Sequence, residues 1–274
     1  YLVIVGDIDY KKVKKEVEVL FSKWKLKDLL NKSFPEPLNP NEIEINFVNM
    51  DNAVQSEISL INTASLDKAN PDYFAVLVAN QILGGGSEAR LHQNLREGKG
   101  YTYGSYSVFN DSHKTKARFR AFASVRNSVT DSAIIEMINE IDFLRKNTVK
   151  IEELNLVKSK YAGAFVRNLE DPGTIANFII TTRTQKLPES FYKDFLKNLN
   201  EVSVEDVQRV SKKYFTIDNA RIIITGKGKE VMDGIEKIYF NKNSIPVKYF
   251  DKFGAEIPRP EFSKIIPEGI TSSD

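Results

Sequence analysis

One short pattern occurs near both ends of the chain and limits what it can fold into. Leu2-Val3-Ile4-Val5-Gly6 reads as a buried strand stopped by glycine, followed by Asp9 as a helix N-cap and by Val13, Val17, Leu20 and Phe21 at helical spacing. Ile222-Ile223-Ile224-Thr225-Gly226 is again a strand closed by glycine, and a helix carrying Val231, Ile235, Ile238 and Phe240 follows it. The two glycines lie 220 residues apart, too far for a solenoid and suited to two tandem copies of one domain. The expectation is that residues 1–25 are the last strand and helix of an upstream homologous domain, and that a second domain follows.

A polar stretch with Pro35, Pro37 and Pro40 makes residues 26–42 an exposed linker. In the segment 43–240 the strand signals come first. Ile43, Ile45 and Phe47 alternate with polar residues, as do Val54, Ile58 and Leu60 less strictly. Asn70-Pro71 reads as a helix start, Gly84-Gly85-Gly86 as its end, and Ser87 as the start of a helix with Leu91 and Leu95 on one face. Tyr101 to Phe109 and Lys116 to Val125 form a hairpin around Asn110-Asp111-Ser112, with Ala117, Phe119, Ala121 and Ala123 on one side. Helices follow, marked by Ile134, Ile138, Ile141 and Leu144, by Leu154 to Arg167, and by the capping box Ser203 with Asp206. Strands first and helices after imply an α+β fold, a mostly antiparallel sheet of about five to six strands with helices packed on it. Residues 241–274, with Pro246, Pro258, Pro260 and Pro267, read as an extended tail.

Composition narrows the chemistry. The 274 residues hold no cysteine, which excludes thiol nucleophiles and cysteine-ligated zinc. Lys plus Arg is 39 against 37 for Asp plus Glu, so overall charge gives no general attraction to nucleic acid. Apolar runs such as Leu2 to Val5 and Ala75 to Ala79 are far below the ~20 residues of a membrane span. Histidine is confined to His92 and His113, so the paired histidines of a zinc protease helix are missing. Glu88 and His92 stand four apart, a spacing that puts both on one solvated helix face rather than in a metal site. No serine sits in a Gly-x-Ser-x-Gly elbow, and Gly84-Gly85-Gly86-Ser87 follows a helix rather than a strand, which argues against a phosphate loop. Lys11, Lys12, Lys14 and Lys15 interleave with apolar positions as the wet face of a helix.

One segment combines donors with strand aromatics. Between Gly85 and Gly104 an arginine, Arg96, stands at a helix end, followed by Gly98, Gly100, Tyr101 and Tyr103. Its guanidinium and a tyrosine hydroxyl could donate hydrogen bonds to a peptide carbonyl or its oxyanion. The pattern Gly85-Gly86, Arg90-Leu91, Leu95-Arg96-Glu97, Gly100 and Tyr103, seven residues after the arginine, resembles the insulinase/pitrilysin metallopeptidases, which include the mitochondrial processing peptidases. Val5-Gly6-Asp7, Val54-Gln55-Ser56 and Asp218-Asn219 add to the resemblance, which spans roughly Tyr1 to Phe240.

The resemblance implies paired α/β domains, one holding zinc through His-x-x-Glu-His and the other lacking that motif. This chain lacks it and so is similar to the C-terminal, non-catalytic partner, residues 43–240. It would supply no catalytic residue and bind no metal itself. Zinc would sit in a homologous domain, upstream in the same polypeptide or on another subunit. Arg96 and Tyr103, and less clearly Tyr101, would contact an unfolded peptide inside a closed chamber. The implied activity is that of one half of a zinc endopeptidase; the alternatives are an inactive scaffold subunit of the same fold and a free-standing peptide-binding module using an open sheet edge. The resemblance leans to a bacterial periplasm or cell envelope over the cytoplasm.

Overall fold

The computed structural model describes residues 1–25, 27 and 34–261. Part of the expected linker 26–42, and residues 262–274 of the expected tail, lie outside them. Helix α1 (Tyr10–Phe21) starts where Asp9 caps it, the carboxylate accepting from the Lys12 backbone N–H at 2.8 Å. No residue of α1 is buried. Leu2 to Gly6, read as a buried strand, forms none, and Leu2 and Val5 are exposed. A strand needs partners for its backbone groups. The corresponding place in this chain's own sheet is filled by Arg221–Gly226.

The strands are β1 (Glu44–Asn49), β2 (Gln55–Ala64), β3 (Thr102–Asn110), β4 (Ala117–Arg126), β5 (Arg221–Gly226), the pair β6 (Tyr239–Phe240) and β7 (Asn243–Ser244), then β8 (Val247–Phe250) and β9 (Glu256–Ile257). Seven of them build one sheet in the order β3-β4-β2-β5-β1-β8-β9. The fold is α+β as expected, with one difference: the sheet is mixed, because β1 pairs parallel with both β5 and β8. Past Phe240 the chain turns at Asn241-Lys242, pairs β7 with β6, docks Val247–Phe250 on β1 and pairs β9 with β8, so the sheet continues into the region read as a tail.

The remaining helices are α2 (Tyr73–Gly84), α3 (Arg90–His92, continuing as a π-helical turn over Gln93–Gly98), α4 (Thr130–Lys146), α5 (Ile151–Asn168), α6 (Pro172–Thr184), α7 (Phe195–Asn200), α8 (Val204–Tyr214) and α9 (Gly228–Ile235). Helices α2, α4 and α8 lie over one sheet face. There Ile58, Leu60, Phe119, Ala121, Ala123, Val125, Ile222 and Ile224 meet Val78, Ala79, Ile134, Met137 and Val210, all buried. Phe119 stacks on Phe215 with ring centroids 4.6 Å apart. The capping box at Ser203 and Asp206 is formed in both directions. The opposite sheet face stays part-exposed at alternate positions of every long strand.

An ion cluster joins α2 to α8. The Asp72 carboxylate, nearly buried, accepts from Arg209, from Lys213 at 2.8 Å and from the Tyr214 hydroxyl at 2.8 Å. Burial pushes this carboxyl up, but the hydrogen bonds from Lys213, Arg209 and Tyr214 outweigh it and bring it down to about 2. A carboxyl depressed on folding contributes stability above its unfolded value and loses it as pH falls toward the folded value. We expect on the order of 2 kcal/mol to vanish between about pH 4 and pH 2, less at high salt because both cations are half-exposed. Urea titrations at those two pH values should show a smaller difference for Asp72→Asn than for the unaltered chain; equal differences would refute the assignment.

Candidate functional site

The segment from Gly84 to Gly104 forms one corner of the molecule. Helix α2 is mostly apolar, buries Ala75, Val76, Val78, Ala79, Ile82 and Leu83, and ends at the glycine run. Ser87 does not open the next helix. A turn occupies 86–89, and α3 starts at Arg90 with Leu91 and Leu95 fully buried. The helix then widens. The Lys99 N–H bonds to Asn94 O at 2.9 Å and the Tyr101 N–H to Leu95 O at 2.9 Å, and Gly100 stops it at φ +61, a conformation costly to a side-chain-bearing residue. Two braces hold this turn. Arg90 makes a bidentate pair with Glu153 of α5 at 2.9 and 2.8 Å, and Asn94 Nδ2 donates to Glu136 and Glu140 of α4 at 3.0 and 2.7 Å.

Arg96 projects from that turn with its side chain 47% exposed. Its Nη1 lies 3.2 Å from His92 Nε2, and its Nε 3.5 Å from Glu97 Oε1. A guanidinium only donates, so Nε2 accepts and the imidazole hydrogen sits on Nδ1, an atom that is buried without a partner among the described residues. His92 is therefore not on a solvated face with Glu88. It is 1% exposed and packs its ring 5.6 Å from Tyr106, while Glu88 pairs with Lys160. The sequence reading missed this because helical phase was counted from Ser87, two residues before Ala89 turns extended.

Tyr103 is displayed by a second irregularity. Thr102 pairs with Val125 and Ser105 with Ala123, so β3 carries one extra residue at Tyr103-Gly104. The Thr102 hydroxyl fixes this bulge by donating to Ser124 O at 2.6 Å and accepting from the Gly104 N–H at 3.1 Å. Tyr103 is left 86% exposed. Tyr101 behaves differently. It is part-buried and packs against the core, so its ring serves as an anchor beneath the turn. Arg96 and Tyr103 thus stand on the two arms of one corner, each placed by a departure from regular structure.

Among the described residues no three His, Asp or Glu side chains come together as a metal site, and no helix is long and apolar enough to cross a membrane. The donors present do not fit a zinc ion. His92 is committed to Arg96 and Tyr106, and His113 lies in the β3–β4 turn.

Comparison with known proteins agrees with the fold. The family model for the Peptidase M16 inactive domain matches residues 1–161, and the chain belongs to that family. An uncharacterized zinc protease of Streptomyces coelicolor is 23% identical over 217 residues, 76% of this chain and 46% of that protein. A probable inactive metalloprotease of Bacillus subtilis is 21% identical over 214 residues, 77% and 48% of the two chains. A crystal structure of a peptidase M16 inactive domain from Pseudomonas fluorescens superposes with TM-score 0.72 at 25% identity, over 81% of this chain and 52% of that one. The chain spans about half the length of these relatives.

Proposed function

We propose that this chain is the non-catalytic, substrate-binding half of a zinc-dependent endopeptidase, completing a closed chamber around unfolded peptides together with a homologous zinc-bearing half. The observation that supports it is the paired display of Arg96 and Tyr103. A π-helical turn and a β-bulge are both uncommon, and both are used to re-aim side chains at sites of function. Here they deliver a guanidinium and a phenol to the same corner, neither buried in a structural role.

Such donors suit a peptide carbonyl, whose oxygen gains negative charge when the bond is attacked. In this reading bond breaking falls to the other half, because among the described residues no three His, Asp or Glu side chains come together to hold a metal ion. Expected behaviour follows. The chain alone leaves a quenched, unstructured peptide intact, and the chain assembled with its zinc-bearing half cleaves it in a chelator-sensitive way.

A second reading keeps the fold and drops the chemistry. The relative described as a probable inactive metalloprotease favours it, as a scaffold or assembly subunit. Absence of cleavage and of zinc in the assembled protein would select that reading.

A further inference from the structure

The sheet face turned away from the helices carries a pattern that the Arg96 corner does not use. On β4 the outward positions are Arg118, Arg120, Phe122, Ser124 and Arg126. Strand register lays their neighbours out in rows. One row runs Val108, Arg120, Ile61, Arg221 and Glu44, and the next runs Tyr106, Phe122, Ser59, Ile223, Asn46 and Lys248. Glu44 is satisfied by Arg221 at 2.8 Å and Lys248 at 2.6 Å. Glu57 accepts from the Ser124 hydroxyl. Arg118, Arg120 and Arg126 have no carboxylate partner among the described residues. Arg120 lies over the Phe122 ring at 4.3 Å with its Nε on the Ser59 hydroxyl at 3.0 Å, and Arg126 donates to Gly100 O at 2.9 Å. Arg120 is thus held in place with its outer nitrogens unused.

This face is continuous with the corner. From His92 beside Arg96, ring contacts lead to Tyr106 at 5.6 Å, on to Phe122 at 6.0 Å and so to Arg120. Along β4, Arg120 and Arg118 stand four and six residues beyond Ser124, which is level with the Tyr103 bulge. Side chains on one side of an extended peptide recur every ~6.4–6.8 Å, the same spacing as Arg120 and Arg118 on their strand.

We infer that the open sheet face is an extended-peptide track selective for acidic segments, with carboxylates two residues apart docking on Arg120 and Arg118 and apolar side chains on Tyr106, Phe122 and Ile61. This rests on the reading of the chain as a substrate-binding half and names the peptide class it takes. The Tyr106 and Phe122 rings beside Arg120 suit a peptide better than a phosphate backbone, which presents charge at every step.

The test is fluorescence anisotropy on this chain with labelled, unstructured peptides of matched length whose cores are Glu-rich, Gln-rich or Lys-rich. The Glu-rich peptide is expected to bind about tenfold more tightly than the Gln-rich one, with the gap closing as salt is raised. The double variant Arg118→Thr, Arg120→Thr should remove that gap while leaving the Gln-rich affinity and the melting temperature close to the original. Equal affinities for the Glu-rich and Gln-rich peptides, or a gap that survives in the double variant, overturns the acidic track and leaves the substrate-binding reading standing. Failure of all three peptides to bind overturns both. A single-stranded oligonucleotide that outcompetes the Glu-rich peptide assigns the face to nucleic acid instead.

Discussion

Replacing Arg96 by alanine in the assembled two-half enzyme is expected to lower kcat for an unstructured peptide about 10²- to 10³-fold, the usual effect of removing one donor aimed at a developing oxyanion. Tyr103→Phe keeps the ring and removes only the hydroxyl, so a smaller loss, about 10- to 100-fold, is expected. Neither substitution should unfold the chain. Arg96 is half-exposed and, among the described residues, its side chain meets only His92 and Glu97, while Tyr103 is almost wholly exposed. The measurement is a steady-state comparison of kcat and KM together with a thermal melt. If the donors act on the transition state, kcat falls with little change in KM. A rise in KM alone would make them ground-state peptide contacts, and unchanged kinetics would remove both residues from the site.

In this reading His92 positions Arg96. Its Nε2 supplies the acceptor that restrains Arg96, and its ring is clamped by Tyr106.

The parts of this structure that were legible in the sequence are those set by local periodicity. Alternation of Ala117, Phe119, Ala121 and Ala123 marks the buried side of β4, and Ser203 with Asp206 marks the start of α8, because each signal involves residues in direct contact along one element. The family pattern located Arg96 and Tyr103 but not the way they are presented. A π-helical turn differs from an α-helical one by a single hydrogen-bond step, and the bulge adds one residue against a partner strand 20 residues away. Neither leaves a periodic trace. The docking of Val247–Phe250 on β1 was hidden for a related reason, being a parallel pairing across roughly 200 residues with no hairpin turn to announce it. Leu2 to Gly6 has residue types that suit a strand, and among the described residues it pairs with none of the seven strands of the sheet. The arginines of β4 were visible as letters. They became a surface once the structure put helices α2, α4 and α8 on the other face.

Gly84 shows how tightly the corner is tied to the core. A Cβ built on Gly84 would lie 2.2 Å from the Ser107 backbone nitrogen, 2.6 Å from Ser107 Oγ and 2.7 Å from the Tyr106 carbonyl carbon. Helix α2 ends directly against β3 here, and Asn80, one turn earlier, donates to Ser107 O at 3.3 Å, covering the middle of that strand's free edge. Gly84→Ala therefore forces the helix end and the strand apart. A loss of about 3 kcal/mol is expected, which for a domain of this size lowers the melting temperature by about 6–12 °C. Two companions separate this contact from a general intolerance of the glycine run. Gly86→Ala, whose Cβ would come no nearer than 3.9 Å to Gln81 Nε2, should melt within about 0.5 kcal/mol of the original. Adding Ser107→Gly to Gly84→Ala relieves the hydroxyl contact and leaves the backbone one, so recovery should be partial at most. Only five residues separate Gly84 from the start of α3, so the same displacement should shift the turn that carries Arg96 and reduce peptide cleavage in the assembled enzyme. A Gly84→Ala variant that melts and cleaves like the original would show that α2 does not seat against β3 at this distance.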